Sequence, residues 1–90
     1  MDREQVEQRI RAILVADFRI APERITSTAT LRGTLGLDSM DAIDLLLLVH
    51  QEFGFEAEVE SYRSLVKLED FVDFVHRRAS DAKAGGDGQG

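Results

Sequence analysis

With ninety residues the chain is one small domain that can bury one modest core, with no room for a second domain or a deep enzymatic cleft. Eleven Lys and Arg against 17 Asp and Glu, a net charge of −6, argue against nucleic acid as the main partner, because phosphate binding needs a basic patch. The same balance suits a protein that visits basic patches on other proteins. No cysteine means no disulfide and no thiolate metal site, and a hydrophobic fraction of 43% is enough for a folded globule.

The first residues, Met1-Asp2-Arg3-Glu4-Gln5, are polar and show no signal peptide. The longest unbroken apolar run, Leu45 to Val49, is too short to span a bilayer, so a soluble cytoplasmic protein is expected. Val, Ile, Leu and Phe recur at helical spacing and no tight hairpin signal appears, which predicts an all-α domain.

The first helix is predicted from Asp2 or Arg3 to Phe18, with Val6, Ile10, Ile13, Leu14 and Phe18 on one apolar stripe. Pro22, the only proline, stops it and starts a short turn, since the residue before a proline disfavours helical geometry. Thr26 to Thr34 holds four threonines, one serine and one glycine. It reads as a long loop that Leu31, Leu35 and Leu37 pin to the core.

A second helix is predicted from Met40 to Phe53, with Gly54 as C-cap and Ile43, Leu46, Leu47, Val49 and Phe53 as its core stripe. Each residue turns the helix by about 100°, so Leu45 to Val49 cannot all face inward. At least one of Leu45, Leu47 and Leu48 is expected near the surface, either as contact with neighbouring helices or a second copy, or as a hydrophobic docking spot. Phe55 to Arg63 is predicted as a loop leading to one helical turn near Val59–Arg63. The last helix is predicted over Ser64–Arg78, leaving residues 1–79 as the domain and the glycine-rich 80–90 as a disordered tail.

The chemistry concentrates at Leu35-Gly36-Leu37-Asp38-Ser39-Met40-Asp41. Asp38 and Ser39 are both good N-caps, and Asp41 stands three residues after Asp38 in a variant of the capping-box spacing. A serine hydroxyl near unpaired N–H groups of a helix start is a natural place to hold a phosphate. Asp38, Asp41 and Asp44 share one face of the first two turns, serving as caps and dipole partners or, for Asp44 above all, in partner recognition. A metal would need several converging ligands, and none is predicted. His50 lies about three turns from Ser39, roughly 16 Å, too far to activate it. His50 and His76 read as surface residues.

That run resembles the attachment motif of acyl carrier proteins, Gly-x-Asp-Ser followed by Leu, Met or Ile and then Asp or Glu. Three further strings fall in the family's order: Pro22-Glu23-Arg24-Ile25-Thr26, Glu52-Phe53-Gly54-Phe55, and Leu68-Glu69-Asp70-Phe71-Val72-Asp73-Phe74-Val75. The resemblance covers about Arg3 to Arg78 and implies a four-helix bundle with a long first loop and a short third helix.

It also implies that Ser39 is esterified by 4′-phosphopantetheine taken from coenzyme A, whose thiol carries acyl groups as thioesters, and that the chain itself is not an enzyme. The implied partners are a phosphopantetheinyl transferase and acyl-processing enzymes with basic patches. They would meet a monomer through Asp38, Met40, Asp41 and Asp44, with Leu47 and Ala57 added. Long chains are stored between the helices in that family; whether they are here depends on how the core packs.

Ala57, His50-Gln51 and Lys67 depart from the pattern of fatty-acid carriers and point to a specialised polyketide, aryl polyene or modified-lipid pathway. An aminoacyl or peptidyl carrier using the same Ser39 chemistry is the alternative. A helical interaction module in which Ser39 is only a cap is a further one.

Overall fold

The computed structural model describes residues 2–89, with side chains through residue 81. Four α-helices pack as α1 (Arg3–Phe18), α2 (Ser39–Phe53), α3 (Val59–Arg63) and α4 (Leu68–Gln89), with a 3-10 turn at Pro22–Arg24. No β-strand occurs among the described residues; the one bridge, between Thr30 and Lys67, is isolated. α1 lies mainly against α4, and α2 lies against α3 and α4.

α1 begins where its cap is made. Asp2 Oδ1 accepts the Gln5 N–H at 2.9 Å and the Gln5 side chain accepts the Asp2 N–H at 3.0 Å, so two orphan donors of the helix end are paired reciprocally. Val6, Ile10 and Leu14 are buried, with Ile13 and Phe18 half-buried beside them. The predicted stripe and both ends of this helix agree with the fold.

The loop between α1 and α2 has little regular structure, yet Ile25, Ala29, Leu31, Leu35 and Leu37 are buried in it. Its main chain bonds to the segment before α4: Leu31 N–H donates to Val66 O at 2.8 Å, Leu68 N–H to Ala29 O at 2.9 Å and Glu69 N–H to Ser27 O at 3.0 Å. These bonds explain why α4 starts at Leu68 rather than at the predicted Ser64. The groups of residues 66–69 are committed to the loop, and Asp70 caps the new start by accepting the Lys67 N–H at 3.1 Å.

The core face of α2 also differs from expectation. Ala42, Leu45, Leu46 and Val49 are buried, whereas Ile43 and Leu47, expected in the core, are 59% and 54% exposed. An unbroken apolar run satisfies helical spacing on two adjacent stripes, and only the neighbours choose between them. Gly54 ends α2 in the left-handed region at φ 82°, with its N–H on the His50 carbonyl at 2.9 Å.

The α4 backbone continues past Arg78 to Gln89, across the stretch where a disordered tail is expected; side chains of residues 82–90 lie outside those described. Substituting Gly54→Ala places a Cβ in left-handed backbone and is expected to cost about 1 kcal/mol. Its urea midpoint should fall with the slope unchanged. Deleting residues 81–90, which hold four glycines, is expected to leave that midpoint unmoved.

Candidate functional site

Ser39 sits where the loop becomes α2, and each residue before it has a distinct structural task. Gly36 takes the left-handed region at φ 72°, a turn that lets Leu35 and Leu37 both enter the core. Leu37 N–H donates to Leu31 O at 2.8 Å, and the Leu37 carbonyl accepts the Tyr62 hydroxyl at 2.6 Å. Asp38 is the N-cap. Its Oδ1 accepts the N–H groups of Met40 and Asp41, each at 3.0 Å, and Asp41 Oδ2 accepts the Asp38 N–H at 3.3 Å.

Ser39 is therefore the first helical residue, not the cap. Of the N–H groups expected to lie unpaired beside its hydroxyl, those of Met40 and Asp41 are taken by Asp38, while the Ser39 N–H has no hydrogen-bond partner among the described residues. Those hydrogen bonds, from Asp41 first and Met40 next, hold the Asp38 carboxyl below its ordinary value of 3.8. Ser39 itself is half-buried and Met40 beside it is 77% exposed, so the helix start faces outward.

Down α2, Met40, Ile43 and Leu47 form one exposed apolar row, with Asp44 exposed next to it and Asp41 half-buried. Ile43, Leu46, Leu47, His50, Glu56, Ala57 and Val59 line an open cleft of about 390 Å³ between α2 and the approach to α3. Of the residues proposed from sequence, Leu47 and Ala57 meet in this cleft. Asp44 and Leu47 flank a smaller recess with Phe18 on the α1 side. Ile43, expected in the core, joins this exposed row instead.

His50 Nδ1 lies 3.1 Å from the Phe55 carbonyl. A carbonyl only accepts, so that nitrogen carries the hydrogen and the ring braces the end of α2. Among the described residues no group of three or more His, Asp or Glu could hold a metal ion. No helix among them is long and apolar enough to cross a membrane.

Tyr62 is the residue that sequence reasoning missed. It is 0% exposed, and its ring meets Phe71 edge-to-face at 6.2 Å and 76°. Burial pushes its hydroxyl up to about 12 from 10.0, with Arg32 pulling the other way. The available signal was a lone tyrosine within a short helical turn, since a buried tyrosine needs a partner for its hydroxyl.

A helical bundle with a serine at the start of its second helix is the architecture of a phosphopantetheine attachment domain, and the model of the family "Phosphopantetheine attachment site" matches residues 8–75. An acyl carrier protein of Coprothermobacter proteolyticus is 37% identical over 83% of this chain and 92% of its own length. Another from Thermosynechococcus vestitus is 25% identical over 89% and 99%. In structure, the chain is similar to an acyl carrier protein of Thermotoga maritima, with a TM-score of 0.75, 26% identity, and coverage of 90% and 94%. The chain belongs to the acyl carrier protein family, and 4′-phosphopantetheine is its covalent cofactor.

Tyr62→Phe leaves the Leu37 carbonyl buried without its donor and is expected to cost about 1–3 kcal/mol, read as a lower melting temperature. Between 10.0 and about 12 the unfolded chain releases the tyrosine proton while the folded one keeps it, so stability falls as pH rises through that window. The variant should lose this part of the alkaline decline. The Asp38 cap acts in the opposite sense: its contribution is complete above 3.8 and disappears as pH falls through the lower folded value. Asp38→Asn should flatten the corresponding acid decline.

Proposed function

We propose that Ser39 bears the phosphopantetheine and that the protein carries acyl intermediates as thioesters for enzymes that dock on α2. The observation that supports this most directly is the position of Ser39. It is the first residue of α2, directly after the capping Asp38 and before the outward Met40. A transferase can reach a hydroxyl there without unfolding anything.

The serine oxygen would attack the phosphorus next to the pantetheine half of coenzyme A. A phosphodiester forms, the adenosine 3′,5′-bisphosphate half leaves, and the serine proton passes to a base of the transferase. This chain supplies no base of its own at Ser39, since His50 is about 16 Å along the helix. When attached, the arm supplies a terminal thiol that holds the acyl group as a thioester. The chain's residues position that arm and present it, and the chemistry belongs to the partners.

The fit at Ser39 favours presentation over capture. With Met40 and Asp41 N–H groups bonded to Asp38, a phosphodiester on Ser39 would find those two donors already taken and two carboxylates close by, which favours an outward arm. Asp38, Asp41 and Asp44 have no ion-pair partner among the described residues, so they remain available to basic patches. The apolar row Met40, Ile43 and Leu47 supplies the short-range contact, and Ala57 completes its edge. Such a surface gives fast, weak and salt-sensitive docking, which suits a cytoplasmic monomer that visits several enzymes in turn. The departures at His50, Ala57 and Lys67 favour a specialised pathway over housekeeping fatty-acid synthesis.

Incubation with coenzyme A and a broad-specificity phosphopantetheinyl transferase should add one phosphopantetheine to the intact mass of the wild type and none to Ser39→Ala. A folded wild type that gains nothing would reduce Ser39 to a helix residue without this role. In the same assay Asp44→Lys or Leu47→Asp should lower kcat/KM by about fivefold, roughly 1 kcal/mol. Added salt should weaken the wild-type reaction and affect Asp44→Lys less.

A further inference from the structure

Tyr62 is the only tyrosine in the chain, and it comes from the five-residue helix α3. Its ring rests edge-to-face on Phe71 of α4, while its hydroxyl ends 2.6 Å from the carbonyl of Leu37, two residues before Ser39. On the outer side the Arg32 guanidinium lies 5.6 Å from the ring centre and donates to the Arg63 carbonyl at 2.9 Å. One side chain thus spans from α4 to the segment that delivers Ser39. The ring therefore stands between α4 and the residues that lead to Ser39.

We propose that Tyr62 closes the bundle to the cargo, so that an acyl group carried on the Ser39 arm stays outside the helices. The inference rests on the attachment at Ser39. Admitting a chain past Tyr62 would break a buried hydrogen bond and leave both the Leu37 carbonyl and the tyrosine hydroxyl without partners. It would also lift the ring off Phe71 and displace Arg32. Leu31, Leu37, Leu45, Leu68, Phe71 and Val72 are all buried in this core, and close-packed side chains of this kind yield space only by moving together.

The apolar surface that remains available is the open cleft of Ile43, Leu47, Ala57 and Val59, which partners would cover. The cargo class follows: short or polar acyl groups that tolerate water, rather than long saturated chains that need shelter.

The test compares acetyl and octanoyl forms, each made from the corresponding acyl-coenzyme A with a broad-specificity transferase and verified by mass. Methyl resonances of Leu45, Val72 and Val75 and the melting temperature should coincide between the two forms of the wild type. In Tyr62→Ala, the octanoyl form should shift those methyl resonances and melt above the acetyl form. If Tyr62→Ala does not fold, Tyr62→Leu serves, since it keeps an apolar side chain while vacating the outer part of the ring's space.

Shifted core methyls or a raised melting temperature in octanoyl wild type would overturn the proposal. A folded variant that behaves like wild type would equally overturn the part given to Tyr62. A wild type that gains no mass would instead remove the Ser39 attachment on which the inference stands.

Discussion

The start of α2 is fixed through Leu37 and Asp38, two adjacent residues whose main chain and side chains are all engaged. Leu37 is buried, its N–H bonds to Leu31, and its carbonyl is held by the one buried hydroxyl that crosses from α3. Asp38 then closes the first turn with the reciprocal bonds of a capping box. A buried loop must find partners for its polar backbone. Here Thr30 and its neighbours find them in residues 66–69 rather than in a strand of their own. The result is a long irregular segment whose last residues are as constrained as a helix. The serine that follows inherits that constraint without having to supply any of it.

Charge is divided between the faces of the bundle in the same economical way. Basic side chains on α1 and α4 are engaged locally: Arg3 with Glu7 and Asp73, Arg11 with Glu7, Arg9 with Glu52. Arg78 donates to the Glu56 carbonyl at 2.6 Å and stacks over Phe55 and Phe74. Each exposed pair stabilises little. Among the acidic groups without an ion-pair partner, Asp38, Asp41 and Asp44 lie along α2 and Glu56 and Glu58 before α3, beside the apolar row. A long-range attraction and a short-range contact surface therefore coincide, which is what transient recognition requires.

How much of this was legible follows from whether local and tertiary signals agreed. α1 could be read to its ends because its cap, its period and its stop at Pro22 all pointed the same way. The capping box at Asp38 and the C-cap at Gly54 were legible for the same reason. The burial of Leu31, Leu35 and Leu37 was legible because few apolar residues occur in that loop. The inward face of α2 was not, since Ala42 with Leu45 and Ile43 with Leu47 fit helical spacing equally. The late start of α4 was hidden because the bonds that prevent helix at Ser64–Lys67 come from residues more than thirty positions earlier. Tyr62 was overlooked because a lone tyrosine in a short helical turn is only a weak signal of burial; its bond to the Leu37 carbonyl comes from a residue far away in sequence.

The helix N-terminus at Ser39 shows how the fold separates rigidity from mobility. An N-terminus with free N–H groups would grip a phosphate and hold whatever was attached to it. In this chain the carboxylate of Asp38 takes the Met40 and Asp41 N–H groups, so much of that anion site is satisfied from within. An arm attached at Ser39, as proposed, would start from a rigid base. Its reach is then set by its own length and bonds rather than by the protein surface. For a carrier that presents one thiol to several enzymes, an ordered origin and a free end are complementary requirements, and the proposed attachment at Ser39 beside the Asp38 cap would meet both.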